Sequence, residues 1–359
     1  MKNVSSCRAA ALQMIALVVF LPAQANAQGC MPIRFVSSAL GGRGDAYLER
    51  GAWRTSLAYR RLFADQLYIG TTNQPDKAPG GAPLIIHNHT VDLGVSYAVN
   101  DRVSLTLNVP WTTGSFSRVW PDKVRHGYDV SGLGDVNVRA STWLWDQNSN
   151  PRGNASLGFG VRAPTGKSDA SALVWRADGS TSEFPATLAI QPGEGGWGLI
   201  FQGEAFRYIA SRTFAYAAGS YTANPKKEID VPRGPGDSLM IGVPDTYNVR
   251  TGLSFNLVSQ SELSPATRTI LSLNLGWRQD ATTRRDLIGG KDLAFRAPAT
   301  IGYLDNGVSF VRGRHSVSLS APVRIYQNYR RSYADIALGR PGGGDLARYM
   351  LVLEVSRRY

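Results

Sequence analysis

The sequence predicts an all-β fold: a transmembrane antiparallel β-barrel of about twelve strands, with short periplasmic turns and long extracellular loops. Three observations predict it. An export leader opens a chain that never again reaches the roughly 18 consecutive apolar residues of a membrane helix. Candidate strands of about ten residues recur with period-2 alternation. The connections between them are alternately short and long.

Residues 1–27 place Lys2 and Arg8 ahead of an apolar run from Ala9 to Leu21 and end on Ala25-Asn26-Ala27, the pattern of a secretory signal peptide. A periplasmic N-terminal segment, 28–50, and an outer-membrane barrel, 51–359, are expected to follow. Cys7 leaves with the leader, so Cys30 has no internal disulfide partner. Cys30 follows Ala27-Gln28-Gly29, but the leucine of a lipoprotein box is missing three places before it, so lipidation is not expected. The chain carries 39 Lys and Arg against 27 Asp and Glu. Removing Lys2 and Arg8 leaves 37 against 27, a net +10. These bases are scattered over many strands of an exported chain, which argues against nucleic acid as a partner.

In order, the candidate strands are 52–62, 90–99, 102–110, 133–145, 154–164, 197–208, 212–223, 247–258, 267–278, 299–311, 315–327 and 347–359. After even-numbered strands the links are short, as at Asn100-Asp101 and 312–314. After odd-numbered strands they are long: 63–89, 111–132, 165–196, 224–246, 279–298 and 328–346. A barrel that threads a membrane from one side needs this asymmetry, and a soluble sandwich does not. Trp111, Trp197, Trp277, Tyr326 and Tyr349 fall near loop ends of strands, with Trp145, Tyr208 and Tyr359 near turn ends, as two interfacial girdles require. The terminal Tyr359 closes a strand of the kind read by the barrel-assembly machinery, an expected partner alongside outer-membrane lipids.

The clearest hairpin runs from Ser131 to Asp169. Val136, Val138, Ala140, Thr142 and Leu144 form one face of its first arm, and Ala155, Leu157, Phe159, Val161 and Ala163 form the matching face of the second. Its SGLGDVNVRAS and GNASLGFGVRAPTGKSD stretches, through Gly132-Leu133-Gly134-Asp135 and Pro164-Thr165-Gly166, resemble the MetA-pathway phenol-degradation family of outer-membrane transporters. Outside 131–169 the agreement is one of strand order, as at Gly236-Asp237 and in the closing strand. The resemblance implies export, a barrel, and uptake of aromatic or other hydrophobic small molecules. It implies no catalytic residues.

With the apolar faces turned to lipid, the opposite faces point into the lumen. The lumen-lining candidates are Arg54, Asp92, Asp135, Arg139, Arg162, Glu204, Arg250, Arg278, Arg324 and Glu354, with Arg60 and Arg348 of the same parity. They form either a cationic constriction for anionic or aromatic solutes or an Arg-carboxylate ladder that shuts the wall. Arg139 and Arg162 are expected to flank one solute, with Asp135 holding one of them.

His87 and His89 share a strand face near Asp92 in a spacing that metals use, but a solvent-facing rim loop is the expectation; His126 and His315 have no evident partner. No cofactor or metal site and no enzyme motif is expected: no Gly-x-Ser-x-Gly elbow, HExxH or Walker loop occurs. Arg43-Gly44-Asp45 reads as a turn. Pro110 and Pro164 are expected to end strands, and Pro322 to mark a bulge inside one. The functional expectation is a passive channel for small molecules in the outer membrane. The alternatives are a structural or surface-interaction barrel with a shut lumen, and a barrel-embedded lipid hydrolase.

Overall fold

The computed structural model describes residues 47–75, 82–234, 238–259, 268–288, 293–344 and 347–359. The leader, Cys30, Arg43-Gly44-Asp45 and Gly236-Asp237 lie outside the described residues. Fourteen antiparallel segments form one sheet, and two pairs of them are halves of a single broken strand, which leaves twelve strands. These are β1 (Trp53–Ala64), β2 (Ile85–Ala98), β3 (Val103–Val119), β4 (Arg125–Leu133 and Asn137–Trp143), β5 (Gly153–Arg162) and β6 (Gly198–Tyr208). The series continues with β7 (Thr213–Ala223), β8 (Thr246–Ser259), β9 (Thr269–Thr282), β10 (Ala299–Arg312), β11 (His315–Ser320 and Val323–Tyr329) and β12 (Tyr349–Arg358). Each pairs with the next, and β12 pairs back onto β1 from Arg54↔Arg358 to Phe63↔Tyr349, so the barrel closes and has no free edge.

The lipid face follows from the alternation. Val138↔Val161, Ala140↔Phe159 and Thr142↔Leu157 stand opposite one another as the sequence pattern requires. Leu57, Leu93, Leu105, Leu157, Phe201, Leu275 and Val355 are all exposed, a band of large apolar side chains that only hydrocarbon can cover. Trp111, Trp197, Trp277 and Tyr326 are exposed at one rim, and Trp53, Trp145 and Tyr359 at the other. From Trp197 to Tyr208 the tilted strand spans roughly 28 Å, the height of a bilayer core. The described residues contain no helix long and apolar enough to cross a membrane.

Several expected boundaries move. The stretch 111–132 is no loop: β3 and the outer half of β4 continue as a hairpin from Trp111↔Leu133 to Val119↔Arg125. Its Thr, Ser and Gly give a polar composition, yet Thr112, Gly114 and Phe116 are buried while Trp111 and Thr113 are exposed and Ser115 is half-buried, the period of a strand. Likewise β2 begins at Ile85, so His87 and His89 lie in a strand and not in a rim loop. Pro110 lies inside β3, where the partner strand is broken at 134–136 and asks for no N–H. Pro322 separates the halves of β11, and the register against β10 slips between Gly302 and Tyr303.

The outer connections carry their own structure: hairpins Ser171–Trp175 with Thr181–Pro185 and Glu228–Pro232 with Met240–Gly242, and a one-turn helix, α1 (Tyr333–Ala337). The segment 186–196 turns inward and enters the mouth of the barrel.

Candidate functional site: the barrel lumen

Two levels of the lumen are built differently. The turn-side level encloses a cavity of about 200 Å³ lined by Arg54, Asp92, Arg139, Glu204, Arg250 and Glu354, set among Ser56, Ser96, Thr106, Asn108 and Gln202. All of these point inward because each sits on the parity opposite the apolar band. Arg60 Nη2 lies 3.4 Å from Asp92 Oδ2, and Asn108 Nδ2 donates to Asp92 Oδ1 at 3.3 Å. Arg139 Nη1 donates to Gln202 Oε1 at 3.0 Å. Ser156 Oγ donates to Glu204 Oε1 at 3.1 Å, and Arg54 and Arg139 are the cations whose fields reach that carboxylate. Guanidiniums thus meet both carboxylates and neutral amides along the cavity wall.

Beneath the cavity lies an aromatic cluster that the strand pattern did not reveal: Trp143, Phe206, Phe214 and Tyr216 project inward, and Tyr47 packs onto Trp143 with centroids 4.8 Å apart. Their inward parity was legible, but sequence alone gave no way to bring three strands and the lead-in segment to one depth.

The outer level is a clamp. Where β4 breaks, the Asp135 carboxylate turns inward, accepts the Gly166 N–H at 3.0 Å and the Glu194 N–H at 2.8 Å, and lies 3.6 Å from Arg162 Nε. Arg162 also pairs with Glu194 and donates to Asn224 Oδ1 at 2.7 Å. Thr165 Oγ1 donates to the Gly134 carbonyl at 2.8 Å and accepts the Val136 N–H at 2.9 Å, while the Gly193 N–H donates to the Lys167 carbonyl at 2.7 Å. The two short motifs of the β4–β5 hairpin therefore meet in space and grip 192–194. A Cβ on Gly193 would lie 2.2 Å from the Gly166 carbonyl oxygen, so only glycine permits this approach. Farther out along the same segment, Ile190 is fully buried against Gly114, and Asn88 Nδ2 donates to the Ala189 carbonyl at 3.3 Å.

The structure corrects several expectations. Arg162 does not share a cavity with Arg139: it is buried in the clamp, two register positions outward, against Asn137. Arg278 does not line the cavity either, since Asp280 on its own strand holds it at 2.8 and 2.9 Å. Arg324 bonds Gln66 and Gln327 at the outer rim, and Arg348 meets Asp65 there at 3.4 Å. His87 and His89 face away from Asp92, for neighbours at odd separation take opposite faces; His89 Nδ1 lies 2.7 Å from the Tyr59 hydroxyl. Asp305, which binds Arg250 Nε at 2.7 Å, was not foreseen, although it sits on the inward parity of β10. His126 does have a partner: it is 2.7 Å from Asp122 and stacks on Trp175.

No protein-family model matches the chain, and no curated protein matches it. Among solved structures it is similar to the COG4313 outer membrane channel from Pseudomonas putida F1, with TM-score 0.55, 15% identity, and coverage of 89% of this chain and 99% of that one. It is also similar to the beta domain of the Bordetella autotransporter BrkA, with TM-score 0.42, 14% identity and coverage of 88% and 100%. A third likeness is to the Ralstonia pickettii toluene transporter TbuX, with TM-score 0.40, 8% identity and coverage of 87% and 90%. The first likeness shows that the fold is that of an outer-membrane barrel; the other two are too distant to carry an argument.

Proposed function

We propose that the protein is a passive channel for small molecules, with aromatic or other hydrophobic compounds as its solutes. The observation that carries this reading is the polar cavity of about 200 Å³ inside a closed wall, its guanidiniums opposed by amides as well as by acids. A barrel built only as a scaffold would fill that space with side chains, as small barrels do. A guanidinium pairs carboxylates and stacks on rings, so Arg54 and Arg139, which face Glu204, are the proposed solute contacts, and Arg250 on the same wall is held by Asp305. The sequence resemblance to the phenol-degradation transporters supports the solute class. Export by a cleaved leader and assembly through the closing strand, β12, belong to the same reading.

The rival reading is a barrel with a shut lumen, and the clamp on 186–196 favours it specifically. Planar-bilayer recordings decide between the two. Wild-type barrels should conduct, and Arg139→Gln should weaken anion preference while the barrel still folds. Wild-type barrels that neither conduct nor admit aromatic acids into liposomes would leave the shut-lumen reading.

A further inference from the structure

Above the clamp, on the extracellular side, the outer connections enclose a second cavity of about 270 Å³. It lies between two apolar clusters, one around Phe116 and Ile190 and one around Ile229, Ile241 and Val243, with Leu188 and Phe295 packed onto the latter. Its walls come from the β3–β4 hairpin, from Phe184 to Leu188, from the 228–242 hairpin and from Phe295 to Ala297. An apolar cavity of about 150 Å³ accepts benzene, and drug-sized sites start near 300 Å³. A space between these limits fits one substituted ring.

The charged groups on its lining are of one sign. Arg118, Arg233 and Arg296 border it, and among the described residues no carboxylate does. Asp286 neutralises Arg296 through two hydrogen bonds of 2.7 and 2.5 Å. Arg118 stacks its guanidinium on Trp120, 4.9 Å from the ring centroid, and gives its Nε–H to the Val119 carbonyl at 3.2 Å, so its terminal nitrogens remain to face the cavity. Tyr128 packs on Phe116 at 5.2 Å and accepts the Thr187 N–H at 3.2 Å; among the described residues its own proton is committed to no acceptor. A cation and a phenolic O–H thus meet at one edge of an aromatic-walled space.

We infer that this outer cavity is a binding site for a monocyclic aromatic anion, a benzoate- or phenolate-like compound whose ring lies among Phe116, Phe184 and Leu188 and whose charge meets Arg118 and Tyr128. The site names the solute class of the proposed channel and rests on that reading only for the solute's onward path. Its location is favourable for capture, because the segment 186–194 lines it at one end and is held in the clamp above the inner cavity at the other.

Isothermal titration of the purified barrel in detergent tests it, with benzoate, benzamide and acetate as probes. Wild type should bind benzoate at least about tenfold more tightly than benzamide, about 1.4 kcal/mol, and acetate more weakly than either. Arg118→Gln should lower benzoate affinity by a similar factor, Arg118→Lys should restore part of it, and benzamide should be unaffected. Heat-modifiable migration on gels verifies that the variants fold, and the benzoate-benzamide comparison on wild type needs no variant. Equal binding of the two probes, no binding, or a neutral Arg118→Gln overturns the site. Barrels that conduct without binding benzoate sink this site and spare the channel; barrels that bind it without conducting do the reverse.

Discussion

At the scale of single residues, the barrel sorts side chains by one rule, the side of the sheet on which parity places them. Leu157 is 57% exposed on the outer wall and Thr106 lines the inner cavity. Leu157→Arg should therefore lose about 2–4 kcal/mol of folding free energy in a bilayer, and Thr106→Arg far less, because only the first puts a charge in hydrocarbon. Urea titration of barrels refolded into vesicles measures both. Equal losses would mean that the wall is not lipid-facing. The same parity was legible in the sequence and placed Arg54, Asp92, Arg139, Glu204, Arg250 and Glu354 around one cavity. It could not pick out Arg278, because a carboxylate at i+2 on the same face captures that guanidinium, and face assignment does not weigh partners against space. Asp245, in an outer connection, is a different case. Burial raises its carboxyl above the usual carboxylate range, against the opposing effect of the Leu287 N–H, the Tyr221 hydroxyl and the Asn224 N–H. The folded state thus holds the proton more readily than the unfolded chain, so stability at this junction falls as pH rises from the unfolded to the folded value. Proteolysis of the 224–245 connection should be slower at the acid end of that window, and Asp245→Asn should flatten the dependence.

The interruption in β4 shows what one element contributes. A continuous strand would have kept Asp135 in the ladder; broken at 134–136, it sends the carboxylate inward to hold Arg162 and two N–H groups of other segments. Removing one partner of a buried pair leaves an uncompensated charge, at a cost of about 3–5 kcal/mol. Glu194→Gln and Asp135→Asn should therefore release 186–196 from the lumen, raising single-channel conductance and opening the segment to proteinase K while the twelve-strand wall survives heat-modifiability assays. Unchanged conductance with a cleaved segment would show that the clamp does not limit flow. Both halves of this device, Gly132-Leu133-Gly134-Asp135 and Pro164-Thr165-Gly166, stand out in the sequence, but as motifs of a resemblance. Nothing local says that Thr165 and Asp135 close on each other, since their contact depends on the β4–β5 register and on a third segment, 192–194, arriving from a loop. The extended β3–β4 hairpin escaped for a simpler reason: its Thr, Ser and Gly resemble a loop in composition, and its alternation carries too few large apolar residues to stand out.

Seen as a whole molecule, the barrel is asymmetric end to end, and the asymmetry fixes its orientation in the membrane. One rim carries tight turns, such as Gly313-Arg314 between β10 and β11, where Gly313 takes a positive φ of 57°, and the turn after β2 where Asn100 Oδ1 accepts two N–H groups. The opposite rim carries the hairpins, α1 and both walls of the outer cavity. A barrel inserted from the periplasm passes its short turns last and leaves them on the periplasmic side, so the structured rim faces outward. Lys226 and Lys227 are exposed on that rim, between β7 and the 228–232 strand, and form a natural trypsin site. Trypsin added to intact cells should cut there, splitting the chain between β7 and β8 while the two fragments stay associated through the closed sheet. The wall hydrogen bonds of β7 with β8 and of β12 with β1 join the two fragments, so the nicked barrel should still migrate as a folded species until heated. Cleavage only after the outer membrane is permeabilised would reverse the orientation, and with it the assignment of the aromatic cavity to the extracellular side.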